Sequence, residues 1–353
     1  MGVVEKYGAP VNTSSAASGA EADRPVPPRA SPAATLGRLL LVVLGVALVA
    51  APVWVVATTG DTVRHQHWAL AAVLGASVVA GLLILAVALL GARRRDRGPS
   101  PRRPRARRIL RGVAVGIGIA VLVVLAAAVV WLRPFPATAP ALAALESDGS
   151  VEVRDEAGWI AFVPRDGAAT TGLVYSPGAR VDVRATAAVL RPLAEAGYLV
   201  VALKEPLGIA FTSPNQSASA MAAFDEVDTW AVGGHSLGGV VASSFAAAHD
   251  DEVTGLLLHA SYPSGDMSTA DVEVTSVWGS RDGLTTPDKI EASRADLPAT
   301  TEFVEVPGGV HAFFADYGEQ PGDGQPATSR ADAQAQIVEA SIGALDRLGV
   351  PSP

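Results

Sequence analysis

The stretch Gly233-Gly234-His235-Ser236-Leu237-Gly238-Gly239 constrains the fold of this chain more than any other. It follows a short apolar run, Thr229-Trp230-Ala231-Val232, and leads into residues 240–248, whose composition predicts a helix. A serine in a G-x-S-x-G pattern between a strand and a helix sits at a very sharp turn. Such a turn has no room for a bulky side chain two positions before or after the serine, and those positions are Gly234 and Gly238. Ser236 is then held in a strained backbone with its hydroxyl lifted clear of the sheet. The helix N-terminus behind it offers unpaired N–H groups and positive partial charge, where a developing oxyanion can be held. His235 faces the wrong way from such a turn to serve as a base, and is read as a packing or hydrogen-bonding residue.

From residue 150 onward, strand-like and helix-like segments alternate, which predicts a mostly parallel, doubly wound sheet covered on both faces. Residues 151–154 and 159–163 alternate in polarity and suggest an antiparallel start. Strands are expected over 172–176, 198–203, 229–232, 254–259, 272–278 and 301–306. Helices are expected over 185–196, 240–248, 287–295 and 330–348. No long helical insertion interrupts this order, so no cap domain is expected and the site should be open.

The hydrophobic fraction of 49% is high because of three apolar runs in the first 133 residues, about 39–57, 68–91 and 109–132. Each is roughly 20 residues or longer, enough to cross a hydrocarbon core of ~30 Å, and none has a polar face. Residues 1–35, rich in Ala, Ser and Pro, read as a disordered tail. Residues 36–133 read as the membrane region, 134–149 as a linker and 150–348 as the soluble domain. Gly112, Gly116 and Gly118 in the third run suit close helix packing. The segment between the second and third runs holds Arg93, Arg94, Arg95, Arg97, Arg102, Arg103, Arg105, Arg107 and Arg108 against the single acid Asp96. By the positive-inside rule this loop is cytoplasmic, and residues after Leu132 lie on the extracytoplasmic side of the cell membrane. From Pro134 onward there are 11 Lys+Arg against 30 Asp+Glu. So acidic a domain repels nucleic acid, and nucleic-acid binding is excluded. Cysteine is absent, which removes disulfides, thiolate metal sites and a cysteine nucleophile.

A serine hydroxyl needs a histidine to take its proton and a carboxylate to orient that histidine. On a doubly wound sheet these follow in the order Ser, Asp or Glu, His, each just past the C-terminal end of a strand. Asp282 follows the strand ending at Trp278, and His311 follows the strand ending at Val306. Two backbone donors would complete the site: Leu237, after the serine, and Ala179 or Gly178 in the loop after the third strand. Pro177 has no N–H, and Gly178 permits close backbone approach. His259 ends a strand near the site and is a candidate to support it. Leu207, Ile209, Phe211, Phe313, Phe314 and Tyr317 fall on nearby loops, as acyl-pocket or as core residues. Arg180 and Lys204 would bind a carboxylate, or pair with Asp182 and Glu205.

These stretches resemble the α/β-hydrolase superfamily, and within it the compact, dienelactone-hydrolase-like "fold-5" group. The resemblance rests on Tyr175-Ser176-Pro177-Gly178-Ala179, Tyr198-Leu199-Val200-Val201, the segment 233–239, Trp278-Gly279-Ser280-Arg281-Asp282 and Gly308-Gly309-Val310-His311. Residues 316–324 also look like that group. It implies an α/β-hydrolase fold and a serine hydrolase of esters or related acyl compounds that needs no cofactor or metal. Dienelactone hydrolases proper use a cysteine nucleophile, which this chain lacks. The expected partners are the membrane and a small-molecule or lipid-like acyl substrate. An acyltransferase using the same acyl-enzyme and a non-catalytic binding module on this fold are the alternatives.

Overall fold

The computed structural model describes residues 32–93 and 104–348. The expected tail up to Ser31 and the arginine-rich segment holding Arg94, Arg95, Asp96, Arg97, Arg102 and Arg103 lie outside the described residues. The chain divides into two units, residues 1–40 and 41–353. In the first, Pro32–Leu40 is helical.

Among the described residues, three helices are long and apolar enough to cross a membrane: α1 (Pro32–His65), α2 (Trp68–Arg93) and α3 (Arg105–Trp131). The first is much longer than the apolar run alone suggested. It runs through Pro52 and departs from helical geometry at Thr59, whose hydroxyl donates to the Val55 carbonyl at 2.8 Å. Large apolar side chains such as Val46, Leu83 and Val124 remain exposed on all three, as expected of helices with lipid rather than water as their surroundings. The expectation that Gly112, Gly116 and Gly118 mark the close packing is not met, since a Cβ at any of them would meet nothing within 4 Å. The tight crossing is between α1 and α2. A Cβ on Gly81 would lie 2.7 Å from the Gly45 carbonyl oxygen, and one on Gly45 would lie 2.8 Å from Leu85 Cγ.

The segment read as a linker is hydrogen-bonded to the domain that follows it. Phe135 donates to the Arg180 carbonyl at 2.8 Å and accepts from Asp182 N–H at 2.9 Å, and a short helix, α4 (Ala139–Ala143), follows. The described residues hold eight strands: β1 (Val151–Asp155), β2 (Trp159–Pro164), β3 (Thr171–Ser176), β4 (Leu199–Leu203), β5 (Thr229–His235), β6 (Gly255–His259), β7 (Glu273–Gly279) and β8 (Glu302–Val306). They form one sheet in the order β1-β2-β4-β3-β5-β6-β7-β8. The β1–β2 and β2–β4 pairs are antiparallel and the rest parallel.

Helices α5 (Ala187–Glu195), α6 (Gln216–Met221), α7 (Leu237–Ala248), α8 (Pro287–Ser293) and α9 (Arg330–Leu348) complete the domain. The strands are apolar on both faces because both are covered. Leu173, Tyr175, Val200 and Leu257 face α5 and α9, packing with Leu190, Leu193 and Ile337. The alternate residues Val174, Val201, Leu256 and Leu258 face α6 and α7, packing with Met221, Ala242 and Phe245. The connection between β6 and β7, residues 260–272, carries no helix, so no cap is built there.

Candidate active site

The turn after β5 carries the backbone strain that its glycines implied. Ser236 has φ 53° and ψ −123°, and so lies in the left-handed half of backbone space. For a residue with a Cβ this costs about 1–3 kcal/mol, tolerated only where the surroundings enforce it. The enforcement is visible. Ser236 N–H donates to the His259 carbonyl at 3.0 Å, and its own carbonyl accepts from Ser261 Oγ at 2.7 Å and Gly239 N–H at 3.0 Å. The glycines are sterically required. A Cβ on Gly238 would lie 2.1 Å from the Ser176 carbonyl oxygen, and one on Gly234 would lie 2.6 Å from the same atom. The loop after β3 is thus in van der Waals contact with the serine turn.

Helix α7 starts at Leu237, so Leu237 N–H lies in the unpaired first turn. Leu237, Ala179 and Gly178 make no backbone N–H hydrogen bond among the described residues. Their neighbours do: Arg180 N–H donates to the Gly208 carbonyl at 2.7 Å and Val181 N–H to the Gly178 carbonyl at 2.9 Å. A Cβ on Gly178 would lie 2.6 Å from His235 Nδ1, so only glycine permits this approach.

Asp282 and His311 come from the loops after β7 and β8, and both are buried. His311 Nδ1 lies 2.8 Å from Asp282 Oδ2, while Asp282 Oδ1 accepts from Leu284 N–H at 2.8 Å and Thr285 N–H at 2.7 Å. One oxygen anchors the carboxylate to its own loop, leaving the other for the imidazole. His311 Nε2 is buried without a partner, and Ser236 Oγ makes no hydrogen bond among the described residues. The serine–histidine hydrogen bond is therefore not formed in this state.

Residues 172–336 match the model of the alpha/beta hydrolase family. The domain belongs to that family. No curated protein matches the chain.

Within this hydrolase domain, the sequence reading missed Asp323. Its Oδ1 accepts from His311 N–H at 3.1 Å, Gly283 N–H at 3.2 Å and Gly324 N–H at 2.7 Å, and its Oδ2 from Ala312 N–H at 2.9 Å. One carboxylate thereby ties the Asp282 loop to the His311 loop. The string 316–324 was visible as a resemblance, but its Asp–Gly turn carried no signal of which loops it reaches.

His235 is buried against His311, Phe314 and Tyr317, with ring centroids 4.5 Å from the first. Among the described residues, neither ring nitrogen has a hydrogen-bond partner. Burial first, and then the neighbouring histidines, push its pKa well below the ordinary histidine value, so it packs as a neutral ring. His259 is fully buried, and desolvation pushes it down to about 3. Ser341 Oγ donates to the Ile337 carbonyl at 2.6 Å, so it accepts from His259 Nε2–H at 2.9 Å. Tyr175 O–H then donates to the bare Nδ1 at 2.9 Å. The side chain braces β3 and β6 against α9, and its carbonyl holds Ser236.

The loop residues divide. Phe313, Phe314 and Tyr317 are buried core, and Phe211 is exposed. Leu207 and Ile209 pack against the apolar cluster at the ends of α1, α2 and α3 that includes Val63, Leu70 and Leu132. Neither expected pairing of the cations is made. Lys204 bonds Asp155 and the Glu156 carbonyl. Arg180 lies over the rings of Trp131 and Phe135, at 4.7 and 4.9 Å. Asp182 is paired instead with Arg184 at 2.7 Å. Glu205, left without Lys204, is buried, and desolvation raises it to about 8, against a hydrogen bond from Ser176 that pulls it down.

Proposed function

We propose that this chain is a membrane-anchored serine hydrolase that cleaves an ester or related acyl bond through an acyl-enzyme on Ser236. The observation that carries the reading is the strained Ser236 at the start of α7, together with the 2.8 Å His311–Asp282 pair on neighbouring strand-end loops. Ser236 Oγ attacks the acyl carbon and His311 Nε2, which is unpartnered, takes its proton. Asp282 Oδ2 holds the Nδ1–H tautomer and stabilises the imidazolium. The N–H groups of Leu237 and Ala179 receive the oxyanion, with Gly178 allowing the approach. Collapse of the tetrahedral adduct breaks the bond to the leaving alcohol, which takes the proton from Nε2. A water molecule then repeats the cycle and frees Ser236. The missing serine–histidine hydrogen bond is ordinary before substrate binds, because such contacts tighten in the Michaelis complex.

The substrate is a small-molecule or lipid-like acyl compound, a reading supported by loops 178–184 and 206–209 lying on the ends of apolar helices. The domain lies on the extracytoplasmic side, as the arginine-rich segment between the second and third helices implies. A fluorophosphonate probe tests the nucleophile. It is expected to label the wild type, to fail on Ser236→Ala, and to react several orders of magnitude more slowly with His311→Ala. Equal labelling of wild type and Ser236→Ala, or of neither, refutes the reading.

A further inference from the structure

The loop that carries Ala179 is held from outside the hydrolase domain. Its backbone enters the left-handed region at Arg180, φ 62°, and so does that of the neighbouring loop at Leu207, φ 60°. The two loops are joined by Arg180 N–H to the Gly208 carbonyl. Two left-handed non-glycine residues side by side require external restraint to persist.

That restraint comes from the ends of the apolar helices. Gln66, buried in the two-residue link between α1 and α2, donates Nε2–H to the Val181 carbonyl at 2.9 Å. Arg184, already paired with Asp182, reaches Asp61 in the last turns of α1 at 2.8 Å. Arg180 lies over Trp131, the last residue of α3, and donates to its carbonyl. Phe135, which follows α3, closes a backbone bridge to Val181. On the other side, Leu207 and Ile209 insert into the apolar cluster of the same helices. Each of these contacts falls within five residues of Ala179 or on the loop bonded to Arg180.

We infer that the membrane helices are part of the catalytic apparatus: Gln66, seconded by Asp61, is a positioning residue that sets the Ala179 N–H of the oxyanion site through Val181. This rests on the serine-hydrolase reading. Of the two, Gln66 carries more, because its hydrogen bond is buried. The Asp61 carboxylate is 66% exposed, and a pair so open to solvent contributes little.

The test uses the full-length protein in lipid vesicles with a p-nitrophenyl ester, and counts competent sites with a fluorophosphonate. Gln66→Met keeps the side-chain volume and removes the donor, and Gln66→Ala removes both. Each is expected to lower kcat per labelled site about tenfold, since displacement of a catalytic donor by a fraction of an ångström has effects of that order. KM stays within about twofold, and the inhibition constant of a trifluoromethyl ketone, which forms an oxyanion adduct on serine, rises by the same factor as kcat falls. Asp61→Asn shows the same pattern, more weakly. If the variants lose labelled sites or thermal stability but keep wild-type kcat per site, Gln66 is merely structural and the proposal is overturned while the hydrolase reading stands. If the wild type itself is not labelled at Ser236, both fall.

Discussion

Replacement of Asp323 by alanine removes a carboxylate that, besides the Asp282–His311 pair itself, joins the two loops of the proposed acid–base pair. It removes four hydrogen bonds, two of them to the backbone of His311 and Ala312 and one to Gly283 beside Asp282. A hydrogen bond to a charged group contributes about 1.5–3 kcal/mol when buried. Asp323 is half-buried, and the freed N–H groups regain water, so the net loss of stability should be about 2–4 kcal/mol rather than the sum. The catalytic effect has a different origin. Asp282 retains its bonds to Leu284 and Thr285, but the His311 backbone loses its tether. The imidazole can then drift relative to Ser236, and a misplacement of about 1 Å costs up to about a hundredfold in rate. The expected fall in kcat is about ten- to hundredfold, or about 1.4–2.7 kcal/mol of transition-state stabilisation. Asp323→Asn keeps an oxygen for the three donors at Oδ1 and loses only the Ala312 bond, so it should fall about threefold. The assay is ester turnover per fluorophosphonate-labelled site, paired with urea unfolding. If Asp323→Ala loses the stability but keeps kcat per site within twofold, the carboxylate serves only the loop, and the geometric argument is wrong.

The other predictions concern pH and sidedness. Glu205 titrates near 4.5 in the unfolded chain and at about 8 when buried, so between those values the folded state holds a proton that the unfolded state has released. Stability should therefore fall as pH rises from about 4.5 to 8, by up to a few kcal/mol, and Glu205→Gln should flatten that slope in unfolding curves taken at pH 5 and pH 9. An unchanged slope in the variant would assign the effect to other groups. For sidedness, alkaline phosphatase fused after Pro353 should be active, and protease added to intact cells should digest the hydrolase domain. A reporter active only as a cytoplasmic fusion would reverse the orientation and leave the catalytic proposal standing.

The sequence by itself determined the features whose causes are local or periodic. Two glycines flanking Ser236 between an apolar run and a helix left one steric solution, and the observed φ of 53° is that solution. Alternating apolar segments of strand and helix length implied a covered, mostly parallel sheet, and the placement of Asp282 and His311 just past strand ends was legible from the order of those segments. The lengths of the apolar runs foretold three helices able to cross a membrane. Tertiary structure alone decided which groups meet across long separations. Asp323 became the tie between two loops, Arg184 rather than Arg180 took Asp182, and Asp155 rather than Glu205 took Lys204. Gly45 and Gly81, not the glycines of the third helix, made the tight crossing. The Val181 carbonyl found its donor in Gln66, 115 residues away. Periodicity reports which face of an element is buried, but a hydrogen bond between loops depends on the relative placement of elements that no local pattern encodes. The seating of the 178–184 loop on the ends of the apolar helices is of that second kind.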